Sequence, residues 1–436
     1  MLLQESESDV WVMETGGMEL GLKPAALPPR RDPMTRLLLT AAASSALACA
    51  NTAPPEHYGF VTLLGHDTVA VERIARTPTR LVADGVDRWP FVRRRHTEFD
   101  LRPDGTIRRM VMDVRTPNGP SPRERGRRVI ADFSDDRVSI TVRDSSGERD
   151  TAFATGGAIT VPHVSMMCSV IELEIAAALR QARADGLAPG DSVPFRQFYP
   201  DRDVGPSFTM HRGWVHLRPE GTVELRHGWL AGTGDVTVDS GGRMLTYSGA
   251  RTTYKVAVTR TTTLPDIESI AERFAAAERR TGQQQLSVRD TARATIGAAS
   301  ISVDYGRPLA RGRTLLGDVI GYDRVWRTGA NAATQLTTSA PITLGGLSVP
   351  AGTYTLWTVP RVGRVDLILN KQTGQWGTEY RRARDLGRVP MESDSVDPPV
   401  EQFTISIEPR DGRHGTLAMA WGTFHWTAPV VVRAGR

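Results

Sequence analysis

The stretch "VHLRPEGTVELR", Val215 to Arg226, constrains the fold more than any other. Two runs of alternating apolar and polar residues flank Pro219-Glu220-Gly221. A turn there pairs Leu217 with Val223 and Val215 with Leu225 on one face, and sets His216 opposite Glu224 on the other. A period of two closed by a glycine turn is an antiparallel hairpin, and the same alternation runs from His57 to about Arg260. Residues 57–262 are therefore predicted to form an antiparallel β domain.

This domain repeats itself in sequence. "GHDTV" at Gly65 returns as "GDSV" at Gly190, "LRPDGTI" at Leu101 as "LRPEGTV" at Leu217, and "DSSGER" at Asp144 as "DSGGRM" at Asp239. Motifs recurring in the same order predict a duplicated sheet. Between the copies, Val164 to about Ala184 reads as one helix packed on the sheet, with Met167, Val170, Ile171, Ile175, Ala178 and Leu179 near a common face. "LPDIESIAERFAAAERR", Leu264 to Arg280 with Pro265 near its start, predicts an amphipathic connecting helix over 264–281, and "TGQQQ" after it marks a boundary near residue 285.

From Leu286 to Arg436 the runs "ASISVDYG", "APITLGGLSVPAGTYTLWTV", "RVDLILN", "EQFTISIE" and "TLAMAW" predict an antiparallel β-sandwich, so the chain as a whole is mainly β. In "LSVPAGTYTLWTVP", Tyr354, Leu356 and Thr358 alternate with Thr355, Trp357 and Val359. Bulk on both faces predicts a strand buried on two sides. The consecutive motifs "ISVDYGRPLARGRTLLGDVIGYDRVWRTGANAATQL", "LSVPAGTYTLWTVP" and "LILNKQTGQWGTEY" resemble the uncharacterised bacterial family called domain of unknown function 2911, over about residues 286–432. The resemblance implies export and implies no reaction. The family often carries glutamate after the asparagine of "GAN"; this chain carries Ala332, which removes one candidate general base.

The candidate site follows from those motifs. Arg327 offers a bidentate fork, Asn331 a donor and an acceptor, and Trp326 and Trp376 stacking faces, while Tyr305, Arg307, Arg311 and Gln375 complete a polar wall if the motifs converge. This mixture suits a small polar, anionic or glycan ligand. The competing reading is a brace, with Arg327 tying loop carbonyls and Gly306 or Gly329 present for a turn of positive φ. A hydrolase is the alternative function, with Asp304, Asp318 or Asp323 near Arg327, or His414 or His425, as acid or base. A purely structural or interaction protein is a third class.

Other chemistry lacks support. Arg, rather than lysine, supplies nearly all of the 54 basic residues, and these are interspersed with 49 acidic ones, which argues against nucleic acid. "RRRH" at Arg93 and "RERGRR" at Arg123 are expected to be solvated strand ends or loops. His211, His216 and His227 share a hairpin, yet the predicted pairing sends His216 and His227 to opposite faces; no metal site and no cofactor are expected. Cys168, among apolar residues, reads as a buried small hydrophobe.

Location is read from "MTRLLLTAAASSALACA", which begins at Met34. It is a signal peptide pattern over 34–48, and Ala46-Leu47-Ala48-Cys49 resembles a bacterial lipobox. Cys49 is thus the expected lipidation site, followed by a linker to residue 56 and tethering the protein to a membrane of the cell envelope. Cleavage after Ala48 without lipid gives the alternative, a secreted or periplasmic protein. Translation is expected to start at Met34, with residues 1–33 an extension outside the protein.

Overall fold

The hairpin that anchors the sequence reading forms in the expected register: Val215 faces Leu225, His216 faces Glu224 and Leu217 faces Val223. A computed structural model describes residues 54–200, 210–227, 232–282 and 286–432. The export signal, Cys49 and the boundary near residue 285 lie outside the described residues. No described helix is long and apolar enough to cross a membrane.

The first sheet has fifteen strands. Its first meander is β1 (Glu56–Leu64), β2 (Asp67–Arg76), β3 (Arg80–Asp87), β4 (Arg93–Leu101), β5 (Ile107–Arg115), β6 (Gly126–Phe133), β7 (Arg137–Asp144) and β8 (Gly147–Ala154), with a helical turn α1 (Pro122–Arg125) before β6. After β9 (Thr160–Pro162) comes α2 (Cys168–Ala184). The second meander is β10 (Ser192–Phe198), β11 (His211–Leu217), β12 (Thr222–Arg226), β13 (Gly234–Val238), β14 (Met244–Ser248) and β15 (Ala257–Thr261). β15 returns to pair with β1, Gly59 opposite Thr261, and so joins the meanders at the middle of one sheet; β9 pairs parallel to β10. The last two recurring motif pairs all sit at hairpin turns, separated by β5 to β7 in the first copy and by β12 and β13 in the second. The two meanders therefore differ in the number of strands between corresponding motifs.

Helix α2 starts at Cys168, later than its apolar run, and through Ala178 it is covered on every side rather than along one stripe, whereas Gln181, Arg183 and Ala184 in its last turn are exposed. Besides Val170, Ile175 and Ala178, it buries Glu172, Leu173, Glu174 and Ala176. The reason is that strands from both meanders wrap it. The Thr97 hydroxyl in β4 lies 4.0 Å from the Met167 sulfur, Tyr58 in β1 donates to Glu172, and Gln197 in β10 donates to Glu174 at 2.6 Å. Arg76 reaches Glu172 at 2.7 Å, which compensates that buried charge. Cys168 is buried and free, and burial pushes its thiol pKa up, as suits a packing residue.

Helix α3 (Ile267–Thr281) begins at Asp266, whose carboxylate accepts the Ser269 N–H at 3.0 Å. Its Ile267, Ala271 and Phe274 pack on Val71 and Val86, on the face of the sheet turned away from α2. One expectation fails nearby. Arg93 and Arg95 of "RRRH" are buried, not solvated, because strand alternation turns both toward Asp87, which Arg93 grips at 3.0 and 3.2 Å.

The second sheet has nine strands: β16 (Ser287–Ile296), β17 (Ala299–Pro308), β18 (Thr334–Thr338), β19 (Ile342–Leu344), β20 (Leu347–Val349), β21 (Gly352–Arg361), β22 (Arg364–Asn370), β23 (Asp385–Pro409) and β24 (His414–Val432). β23 pairs with β22 over Asp385–Met391 and with β24 from Glu392 to Pro409, its register with β24 shifting between Ser395 and Thr404. This long strand joins the two layers of the sandwich. Tyr305 of β17 bridges the layers, donating to the Ile405 carbonyl at 3.3 Å and accepting the Ile405 N–H at 3.0 Å. Central strand β21 is buried from Tyr354 to Pro360, as its two bulky faces require. The described residues all fall within one compact unit.

Candidate functional site

The long connection between β17 and β18 carries "VWRTGANAATQL", and its backbone is held in an unusual shape. Thr328, Gly329 and Asn331 all have positive φ, at 50°, 147° and 63°. A β-branched residue in that region is costly unless its surroundings enforce it. Here they do. Trp326 and Thr358 of β21 exchange backbone hydrogen bonds at 2.8 and 2.9 Å, the Thr328 hydroxyl meets that of Thr358 at 3.3 Å, and Thr334 donates to the Thr328 carbonyl at 2.7 Å. Gly306 serves a different purpose from a turn of positive φ: a Cβ there would stand 2.2 Å from the Ala330 carbonyl oxygen, so its role is close backbone approach.

Held this way, the loop forms a wall of a cleft of about 910 Å³ lined by both sheets. Trp326, Arg327, Asn331, Trp376 and Arg311 all line it, and three other predicted residues do not. Tyr305 bridges the sandwich layers. Arg307 donates to the Phe403 carbonyl at 3.1 Å and pairs with Asp290 at 2.9 Å; Gln375 donates to Thr355 at 3.2 Å. Arg311 lines the cleft but is buried and already engaged, with Asp67 at 2.8 Å and the Leu286 carbonyl at 3.1 Å.

Arg327 is the opposite case. Its stem lies over Gly377, where a Cβ would come within 2.3 Å of the Arg327 Cδ, and its guanidinium makes no hydrogen bond or ion pair among the described residues. The buried Nε is unpartnered. A brace ties carbonyls together; this arginine ties none. Asn331 donates weakly to the Ser287 carbonyl at 3.5 Å, and Trp376 is 50% exposed.

Sequence reasoning missed the cations that gather around Arg327. Lys255, Arg313 and Arg324 line the same cleft. Burial, and then the charges of Arg327, Arg313 and Arg324, push the Lys255 pKa down to about 8. Burial and the charge of Arg311 lower Arg313 to about 10, and burial lowers Arg327. Asp318 is the acid that opposes them at Lys255. The available signal was that Lys255 is one of three lysines in an arginine-rich chain.

The carboxylates considered for hydrolysis do not assemble. Asp318 lines the cleft, whereas Asp304 pairs with Arg289 at 2.9 Å, Asp323 with Arg361 at 3.2 Å, and His414 with Asp411 at 2.9 Å; His425 is likewise outside the lining. What the cleft can do is hold negative charge. Lys255 donates to the Ala250 carbonyl and Arg313 to the Ala310 and Leu309 carbonyls at 2.9 and 2.6 Å, while Arg327 has no such partner among the described residues; Trp89, Tyr254, Trp357, Trp376 and Tyr380 supply apolar and stacking surface.

No curated protein matches the chain. A crystal structure of a DUF1089 family protein from Pseudomonas aeruginosa is similar over 43% of this chain and 93% of its own, with 15% identity and a TM-score of 0.31. Residues 287–430, which span the nine-stranded sheet and the loop of Arg327, match the family described as a protein of unknown function, DUF2911.

Proposed function

We propose that this protein is a binding protein of the cell envelope, anchored to the membrane through a lipid at Cys49, whose cleft takes a small anionic ligand. The observation that carries the binding reading is the convergence of Lys255, Arg313, Arg324 and Arg327 on one cleft with Asp318 opposing them. Like charges held together cost stability, and a bound anion relieves that cost. The aromatic lining suits an anion that carries a ring or a sugar, such as a phosphate ester. The signal pattern ending at Cys49 supports the anchored location.

Tryptophan fluorescence reports on the cleft, since Trp326, Trp357, Trp376 and Trp421 line it. Titration with a sugar phosphate, a dicarboxylate and a neutral disaccharide should give a saturable change with the anions and none with the disaccharide. The Arg327→Ala form should lose it. If the anions leave the signal unchanged, or if Arg327→Ala binds as the parent does, the reading fails. Location is tested separately: Cys49→Ser should move the protein from the membrane fraction to the soluble one.

A further inference from the structure

A second cluster lies inside the fifteen-stranded sheet, away from the cleft. His163 follows β9, Glu174 projects from the middle of α2, and His227 follows β12; they are 3%, 0% and 2% exposed. One ligand-capable atom from each falls within 4.8 Å of the others. Both histidine rings turn Nδ1 toward a common point, marked by the Gln197 amide nitrogen at 3.4 Å from His163 and 3.2 Å from His227. The same nitrogen lies 2.6 Å from Glu174 Oε1.

One Gln197 nitrogen thus faces three potential ligand atoms. Glu174 Oε2, fully buried and 4.0 Å from His227 Nδ1, has no hydrogen-bond partner among the described residues. A buried carboxylate oxygen left open beside two imidazoles is suited to a cation. We infer that His163, Glu174 and His227 form a binding site for one divalent transition ion of the zinc class.

Two imidazole nitrogens and a carboxylate oxygen are the donor set such ions favour, and calcium or magnesium would select oxygens alone. Gln197 completes the set when its amide turns over and presents its oxygen. The ion would fasten α2, through Glu174, to the segment after β9 and to the second meander. The sequence reading expected no metal site, and the hairpin pattern could not reveal one: of the hairpin histidines only His227 is in the group, and His163 and Glu174 come from elements far away in sequence.

The test uses the full chain, purified without a polyhistidine tag. Elemental analysis after growth with zinc should give one ion per chain. After chelation, added Co²⁺ should give visible ligand-field absorption of a low-coordinate site, and added Zn²⁺ should raise the thermal midpoint. His163→Ala and His227→Ala should abolish the absorption, while His211→Ala should keep it. A folded parent that takes up neither ion overturns the inference, as does absorption that persists in a folded His227→Ala form. If the alanine forms do not fold, Glu174→Gln, of equal size, is the deciding variant; retention of the parent spectrum there overturns the assignment.

Discussion

Glu72, in the middle of β2, caps helix α2: its Oε2 accepts the Ser169 N–H at 3.0 Å and the Cys168 N–H, while the Ser169 hydroxyl donates to Oε1 at 2.6 Å. A carboxylate from the sheet thus satisfies donors that a helix N-terminus leaves open. Desolvation nevertheless outweighs those bonds and raises Glu72 to about 7. A folded-state pKa above the unfolded value means that the native protein holds its proton more tightly. Stability is full below about pH 4.5 and declines as pH rises to about 7, by roughly 3 kcal/mol for this group. Denaturant melts of parent and Glu72→Gln across that range should show a flatter profile in the variant.

Ligand binding should carry its own pH dependence, in the alkaline direction. Lys255, lowered to about 8, loses its charge as pH rises through that value. Affinity for an anion should therefore fall between about pH 7 and 9, and the fall should be absent in Lys255→Gln, which binds weakly throughout. Raising the salt concentration should weaken the parent as well, since exposed charge is screened within about 10 Å at 0.1 M.

Two arginines of the same wall should behave oppositely on truncation. Arg311→Ala removes a buried partner of Asp67 and should cost about 2 to 3 kcal/mol of stability, read by thermal or urea unfolding. Arg327→Ala removes a cation from a cationic cluster and breaks no ion pair, so its melting midpoint should stay at or above that of the parent while binding is lost.

Gly306→Ala should disturb the loop without touching the cleft. The new methyl would meet the Ala330 carbonyl oxygen at 2.2 Å, and backbone cannot swing aside as a side chain can. A loss of about 2 kcal/mol is expected, with weakened anion binding as Arg327 shifts. Unfolding and titration on the same preparation measure both.

What the sequence disclosed was local, and what it hid was long-range. The register of Val215 to Leu225 was legible because a turn three residues wide fixes it. The double burial of β21 was legible because both its faces carry bulk. Glu172 and Glu174 belong to no apolar stripe, yet both are buried, because strands of both meanders wrap this part of the helix. Their partners, Arg76 and Gln197, lie on strands whose approach to α2 no periodicity records. The loop of Arg327 was found by its residue types, whereas Lys255 came from the other sheet and carried no motif. Arg311 and Arg327 looked alike in sequence; only the presence of Asp67 beside one of them tells a brace from a binding group.

The pairing of β15 with β1 also sets a timetable for synthesis. β1 leaves the ribosome before the other strands of its sheet and finds one neighbour at once in β2, but its other edge stays open until Thr261 has been made. Over that interval the nascent chain carries a bare edge able to recruit any passing strand. Closure of so distant a pair is slow, because a long loop must be drawn in before any contact rewards it. The growing protein therefore depends on being kept apart from its copies until the first domain is nearly complete, and a truncation that stops before Ala257 should yield aggregate rather than a smaller folded unit.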